Sequence, residues 1–315
     1  MGTFVRGWLA AIAVTIGLGA ALPACANVFA LEGRDPRAPQ PRSGADQLYA
    51  PIGVVTTVNA VPASDDGSRQ IRTRGTGFLV SPCYVLTNYH AVFGLDYNGP
   101  DAGRDYTATF SVGVDPDFAF RWQVRGTPVR WGAFNQRKEH DWALIRLEGC
   151  VGGQQDIGWL ETTPEPAQTM PGLSVVLAGY PSDKSADSLW AQPPCRIEGQ
   201  QPGTAKVLHG CAVHSGASGA PLIETGRGAP VVVAIQCGEL NATAGPLATY
   251  DPRYANTAVT IAEVFQDAEV VRLITADREA FPGGNPILAP MLAKPGQTSP
   301  DPAPTAPLVR VSGLP

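Results

Sequence analysis

The sequence predicts an all-β protein, and three observations carry that expectation. Glycine (35) and proline (30) are abundant, long stretches with apolar residues at helical spacing are scarce, and short apolar runs bounded by turn residues recur along the chain. The 315 residues, 44% hydrophobic and only 16% charged, are enough to bury one full core or two.

The N-terminus reads as a secretory signal. Arg6 is its only charge, residues 8–22 form an apolar stretch broken by Pro23, and two small-x-small sites follow, Ala24-Cys25-Ala26 and Val28-Phe29-Ala30. The apolar stretch is short of the roughly 20 residues that a membrane span needs. Removal of residues 1–26 and release, without stable membrane insertion, is therefore expected over the two alternatives, an uncleaved anchor or a lipidated Cys25. Residues 27–50, with Pro36, Pro39 and Pro41 among Arg and Gly, read as a flexible leader or pro-segment.

Strand candidates follow at 52–58, on either side of a turn inside 75–92, and at 106–114, 119–124 and 129–134, with an Asp-Asp-Gly turn at 65–67. This is one barrel's worth of short strands. Composition turns to Gly, Gln, Thr and Pro over 149–171, as in a linker, and strand candidates resume at 173–181, 203–208, 221–223, 231–235 and 257–261. Residues 262–275 place Val264, Phe265, Ala268, Val271 and Leu273 at helical spacing, which predicts a closing helix. Beyond Phe281 prolines recur to Pro315, and the tail from 277 is expected to be disordered. The domains expected are thus 51–160 and 161–276. A net charge of −5 and a pI near 5.4 argue against a nucleic-acid-binding surface. The sequence holds no P-loop, Cys-x-x-Cys pair or internal repeat, and no metal or cofactor is expected.

The chemistry concentrates in His214-Ser215-Gly216-Ala217-Ser218-Gly219-Ala220-Pro221-Leu222. A serine hydroxyl needs a neighbouring base to become a nucleophile and backbone N–H donors to hold the oxyanion it creates. A Gly-x-Ser-Gly turn supplies such donors, because glycine tolerates the left-handed backbone that aims two amides the same way. All four histidines, His90, His140, His209 and His214, precede Ser218, which excludes the α/β-hydrolase order and leaves open the order His, Asp, Ser. His90 ends the Thr87-Asn88-Tyr89-His90-Ala91 segment, after two apolar strands that meet at a turn. Asp141 opens the apolar run Trp142-Ala143-Leu144-Ile145-Arg146-Leu147, whereas other acids between His90 and Ser218 mostly flank Gly or Pro. His140, adjacent to Asp141, is expected to point the other way and be exposed. His214 reads as rim or subsite.

With those three segments in order, the chain resembles the trypsin-like (chymotrypsin-fold) serine peptidases over roughly 51–266, and most of all the bacterial secreted branch that includes the glutamyl endopeptidases. The resemblance implies two six-stranded antiparallel β-barrels with a C-terminal helix, and a monomeric enzyme acting on proteins or peptides. It implies His90 as base, Asp141 as its orienting carboxylate, Ser218 as nucleophile, and the Gly216 and Ser218 amides as the oxyanion hole. Ala217 stands where many relatives carry an acid that pairs with a newly cut N-terminus, so that activation switch is absent. The first-subsite pocket is implied to be walled by Ala212, Val213 and the strand holding Gln236, the position where glutamyl endopeptidases carry a histidine. Cleavage after uncharged residues of small or medium size is expected, with Glu239 toward the pocket mouth.

Cys83 and Cys150 flank the His and Asp strands, and Cys195 and Cys211 bracket the loop into the Ser motif, so these two pairs are the expected disulfides, leaving Cys237 as a buried thiol. The alternative of another class is a catalytically inactive trypsin-like domain that binds peptides by strand addition.

Overall fold

The computed structural model describes residues 27–40, 47–61, 69–94, 106–113, 120–133, 140–227, 229–243 and 247–288. The expected signal, the turn at 65–67 and the tail from 289 lie outside the described residues.

A two-residue strand, β1 (Ala38–Pro39), precedes the first barrel. That barrel comprises β2 (Ile52–Val61), β3 (Arg69–Ser81), β4 (Tyr84–Thr87), helix α1 (Tyr89–Phe93), β5 (Ala108–Val112), β6 (Trp122–Trp131) and β7 (Ala143–Leu147). Its strands close in the order β2-β3-β4-β7-β6-β5, all antiparallel. The second half holds β8 (Glu161–Thr162), β9 (Ser174–Gly179), β10 (Trp190–Ala191), β11 (Cys195–Gln200), β12 (Lys206–His209), β13 (Pro221–Glu224), β14 (Val231–Glu239) and β15 (Asn256–Thr260), followed by α2 (Ile261–Val264) and α3 (Ala268–Glu279). Six of these strands close antiparallel as β9-β11-β12-β15-β14-β13, the ring completed by β13 pairing with β9. Short β8 lies parallel to β14, and β10 carries β1 on the outside of β9.

The strands of the first barrel are apolar on both faces because each face meets a different core. Val55, Leu79, Val85, Phe110 and Ile145 fill the barrel interior. Their neighbours Val54, Phe78, Val80, Leu86 and Leu144 point the opposite way and pack against Tyr180, Ile223, Ile235, Val259 and Ile261 of the second half. A third cluster of Val175, Leu177, Ile197, Val207, Leu222 and Val233 fills the second barrel. The seam between the barrels is thus as dry as either interior, which fixes how the two halves sit.

Several expected boundaries differ from the structure. The strands expected at 119–124 and 129–134 are one strand, β6, whose register shifts between Pro128 and Arg130; a proline removes one ladder donor and is absorbed at such an irregularity. The single helix expected over 262–275 is two. Thr260 Oγ1 accepts from the Glu263 amide at 3.2 Å, and Asp267 Oδ1 accepts from the Glu269 amide at 2.9 Å, so two N-caps start two helices. The chain does not loosen at 277. Asp277 Oδ2 accepts from Ser81 Oγ (2.6 Å) and the Cys83 amide (2.8 Å), Arg278 donates to Val80 O and Glu161, and Ile287 is buried.

The largest departure is at the N-terminal side. Residues 27–40, expected as a loose leader, are folded onto the second barrel. Asn27 fills a socket: its amide donates to Asn256 Oδ1 (2.8 Å), its Nδ2 donates to Asn241 O and Tyr254 O (both 2.7 Å), and its Oδ1 accepts from the Thr243 amide (2.8 Å). Phe29 is 3% exposed and stands edge-on to Tyr250. A segment that buries an aromatic ring and satisfies every polar atom of one side chain has repaid its ordering entropy locally.

Disulfides join Cys83 to Cys150 and Cys195 to Cys211, with sequence separations of 67 and 16. Chain-entropy estimates put such bridges at about 3 to 4 kcal/mol each. Cys237 is a buried free thiol, and burial pushes its pKa up.

Candidate active site

The pair at the centre is His90 and Asp141. Asn88, in extended backbone just after β4, caps the start of α1, so His90 sits in the first turn of that helix rather than at a strand end. Asp141 precedes β7, the strand that pairs with β4, and the register Thr87 to Ala143 brings the two segments side by side. The Asp141 carboxylate grips His90 twice: Oδ2 lies 2.7 Å from the ring Nδ1 and Oδ1 accepts from the His90 amide at 3.1 Å. Asn88 Nδ2 donates to the Asp141 carbonyl at 2.8 Å, closing the arrangement. Asp141 is 2% exposed, while the His90 side chain keeps 18% of its surface open. A buried carboxylate on Nδ1 places the ring proton there and leaves Nε2 as the acceptor.

The Ser218 loop is brought to this pair by β3. The Thr76 amide donates to Ser218 O (2.8 Å) and Thr76 Oγ1 donates to Gly216 O (2.9 Å). Gly75 lies between the two halves of the site: a Cβ there would sit 2.8 Å from the Ala91 Cβ and 3.0 Å from Ser218 O. Any larger residue would push the helix carrying His90 away from the loop carrying Ser218. Gly219 has φ +88, and a Cβ on it would strike Thr76 O and Thr87 Oγ1, so that position admits only glycine. Ala217 donates to His214 O and Ala220 donates to Ala217 O, which coils the loop into two consecutive turns. The amides of Gly216 and Ser218 have no acceptor among the described residues, the state expected of an oxyanion hole.

Ala212 and Val213 lie on the approach to this loop, each 1% exposed. Gln192 brackets Ala212, accepting from its amide at 2.9 Å, and Asn27 O accepts from the Val213 amide at 3.0 Å. Gln236 does not offer its amide to a ligand: it is 1% exposed, its Oε1 lies 2.6 Å from His209 Nε2, and its Nε2 donates to Gly238 O at 3.2 Å. The sequence alone puts Gln236 in the pocket wall and gives His209 no role. The alternation of β12, which turns every second residue inward, was the signal available. Burial pushes the His209 pKa down to about 4, against partial compensation by Gln236, so the ring is neutral at ordinary pH. Glu239, near the end of β14, has its pKa pushed up to about 7 by burial. His140 is part-buried rather than exposed, its Nδ1 paired with Glu263 Oε1 of α2. Strand alternation around Asp141 does not apply, because β7 begins two residues later. His214 is half-buried at the rim, with Nδ1 3.2 Å from Ser182 Oγ.

Among the described residues, the one cluster of metal-type ligands is Cys83, Cys150 and Asp277, and the two sulfurs are bonded to each other. Bonded sulfurs are not thiolate ligands, so that donor set does not fit a metal.

The family model for the trypsin-like peptidase domain matches residues 75–235, just over half of the chain. The chain is 26% identical over 197 residues to a glutamyl endopeptidase from Bacillus licheniformis, a match covering 56% of this chain and 58% of that protein. It is 28% identical over 119 residues to an extracellular metalloprotease from Bacillus subtilis, covering 37% of this chain and 36% of that one. The matches thus span little more than half the length of these relatives at most. A solved structure of a Glu endopeptidase in complex with MPD superposes with a TM-score of 0.53 at 18% identity, over 79% of this chain and 99% of that chain, which shows the shared fold.

The buried His209 generates a prediction. Its folded pKa lies below the unfolded value of 6.5, so the unfolded chain takes up its proton first, and the stability this group confers is complete above pH 6.5 and falls as pH drops toward 4. Histidine resonances followed by NMR should show one ring that stays neutral until about pH 4. A His209 signal with a midpoint near 6.5 would contradict the assigned environment.

Proposed function

The chain belongs to the trypsin-like peptidase domain family, and from that premise we propose that it is a secreted serine endopeptidase that cleaves peptide bonds through an acyl-enzyme. The observation that carries the reading is the double grip of Asp141 on His90, docked through Gly75 and Thr76 against the Ser218 loop. His90 Nε2 takes the proton of Ser218 Oγ as that oxygen attacks the substrate carbonyl. The negative charge on the carbonyl oxygen is met by the amides of Gly216 and Ser218, and Asp141 offsets the charge of the imidazolium without taking a proton. His90 then gives its proton to the leaving amine. In the second half, His90 removes a proton from water, hydroxide attacks the ester, and Ser218 Oγ is restored to its protonated form. The rival reading, a binding module on the same fold, is less well supported: it gives no reason for the Asp141 grip on His90 beside a serine loop whose Gly216 and Ser218 amides have no acceptor among the described residues.

The pocket proposed for the residue before the scissile bond offers no unpaired permanent charge. Ala212 and Val213 supply apolar walls, the Arg37 cation that shares a small cavity with them is already paired with Asp35 and Asp183, Gln236 is committed to His209, and His209 is neutral. A buried substrate cation or anion needs a partner of opposite charge, so charged side chains are disfavoured. Uncharged residues of small to medium size are the proposed preference, at about 0.8 kcal/mol of discrimination per buried methylene.

Export supports the same reading. The two disulfides belong to an oxidising compartment. Of the two cleavage sites in the sequence, only the one after Ala26 keeps Asn27 in its socket and Phe29 in its aromatic contact.

Four outcomes test these proposals. Ser218→Ala, His90→Ala and Asp141→Asn should each lower turnover by roughly 10⁴ to 10⁶ while the protein stays folded. An organophosphonate probe should label Ser218 in the wild type; activity of Ser218→Ala within about tenfold of wild type would end the assignment. Profiling on a peptide library should return a broad preference for uncharged residues, and more than about a hundredfold preference for Arg, Lys or Glu would refute it. Edman sequencing of the exported product should begin Asn-Val-Phe, whereas a start at Leu31 would show that the socket is vacated.

A further inference from the structure

Arg37 is a buried cation with two partners. Its side chain is 4% exposed and forks between Asp35 Oδ2 (2.8 Å) and Asp183, reaching Asp183 Oδ2 at 2.6 Å and Oδ1 at 3.0 Å. Lys184 Nζ adds a second cation 2.9 Å from Asp35. Burial by itself would lower the Arg37 pKa, yet the two carboxylates outweigh it and hold the guanidinium charged; the same contacts outweigh burial at Asp35 and hold it below the usual carboxylate range. Fork geometry with two bonds to one carboxylate defines the position of Asp183.

That position bears on the candidate oxyanion hole. Ser182, the residue before Asp183, donates its amide to Ser215 O at 2.6 Å. Ser215 O and the Gly216 N–H belong to one planar peptide, and none of the described peptides is cis. In a trans peptide the carbonyl and the N–H point in opposite directions. With the carbonyl turned toward Ser182, the Gly216 N–H is aimed away from residues 180–183. Gly216 has φ +89, which lets the following chain turn back so that Gly216 O meets Thr76 Oγ1. Arg37 and Ala217 line one small cavity together with Gly179, Pro181 and His214. Ala217 brings no charge to it, so the cation there is balanced by Asp35 and Asp183.

We propose that Arg37 is a positioning residue for the oxyanion donor: by clamping Asp183 it sets the Ser182 amide that orients the Ser215–Gly216 peptide. The N-terminal strap at 27–40 then holds the Ser218 loop in its working form permanently, in place of a switch that needs an acid at 217. The inference rests on the peptidase reading above and adds a residue to it.

Arg37→Met keeps the length and removes the charge; Arg37→Lys keeps the charge and loses the fork. If the clamp orients the donor, Arg37→Met lowers kcat by about 10²-fold with KM within about threefold, phosphonate labelling of Ser218 slows in parallel, and Arg37→Lys regains about tenfold of the loss. A purely structural role would instead lower the amount of folded enzyme and leave its kcat alone, and that result overturns the proposal. Hydrogen exchange separates this test from the peptidase reading. In a Ser218→Ala background, Arg37→Met should speed exchange at 180–183 and 212–218 and leave the first barrel unchanged. Unchanged exchange there, or acceleration spread over both barrels, refutes the clamp even if the enzyme is active. Absence of any hydrolysis by wild type refutes the peptidase reading even if the exchange result holds.

Discussion

The bond from the Thr76 amide to Ser218 O is the constraint on which the site turns, because it ties the loop of the second barrel to a strand of the first. Thr76 belongs to β3, which also pairs with β4, and β4 leads directly into the helix carrying His90. One residue therefore sets the distance between two groups more than a hundred positions apart in sequence. Its hydroxyl completes the joint by donating to Gly216 O and accepting from the Tyr180 amide at 3.0 Å. Gly75 and Gly219 on either side of the joint have no side chain because the backbones approach too closely to admit one. The dry seam beneath, with Phe78, Tyr180, Ile235 and Ile261 in a single cluster, stops the barrels from sliding and so keeps the joint in register.

Around that joint, several buried polar groups are paired with each other. Gln236 Oε1 pairs with His209 Nε2, Asn27 and Asn256 exchange hydrogen bonds, and Gln192 clasps the main chain of Ala212. Each unpaired member would cost about 1 to 3 kcal/mol, so these pairs resist the rearrangement that would free an amide for a substrate. Burial acts on ionisable neighbours as well. It pushes the His209 pKa down to about 4 and the Glu239 pKa up to about 7.

The two ends of the described chain brace the site from outside. At one end the strap seats Asn27 beside the pocket wall and Arg37 beneath the Ser218 loop; at the other, α3 carries Asp277 and Arg278 onto β3, the turn after it and the segment before β8. Both use charged or amide side chains: Asn27, Asp277 and Arg278 reach main-chain atoms of the barrels and Arg37 reaches the Asp183 carboxylate, contacts that specify orientation more than they add hydrophobic area.

Fold class was legible in the sequence alone, and so were the candidate residues that the structure gathers at the seam, because both rest on short-range patterns. Gly- and Pro-punctuated apolar runs mark strands. A histidine after Thr-Asn-Tyr, an aspartate before an apolar run and a serine between glycines mark the three groups, and their order restricts the fold. The cysteine positions marked the disulfides through the elements they flank. The helix break at Asp267 was missed although its signal, an Asp before a helical run, was present. What remained hidden is pairing across distance. Nothing in Asp-Pro-Arg at 35–37 indicates that Arg37 meets an aspartate 146 positions later, or that Asn27 meets Asn256 229 positions later. A proline-rich segment near the start reads as loose by composition, and it is ordered here only because barrel strands far down the chain supply its partners. Gln236 likewise reads as a pocket amide until β12 sets His209 against it, since hydrogen-bond saturation belongs to the neighbours that folding brings and not to the residue that carries the amide.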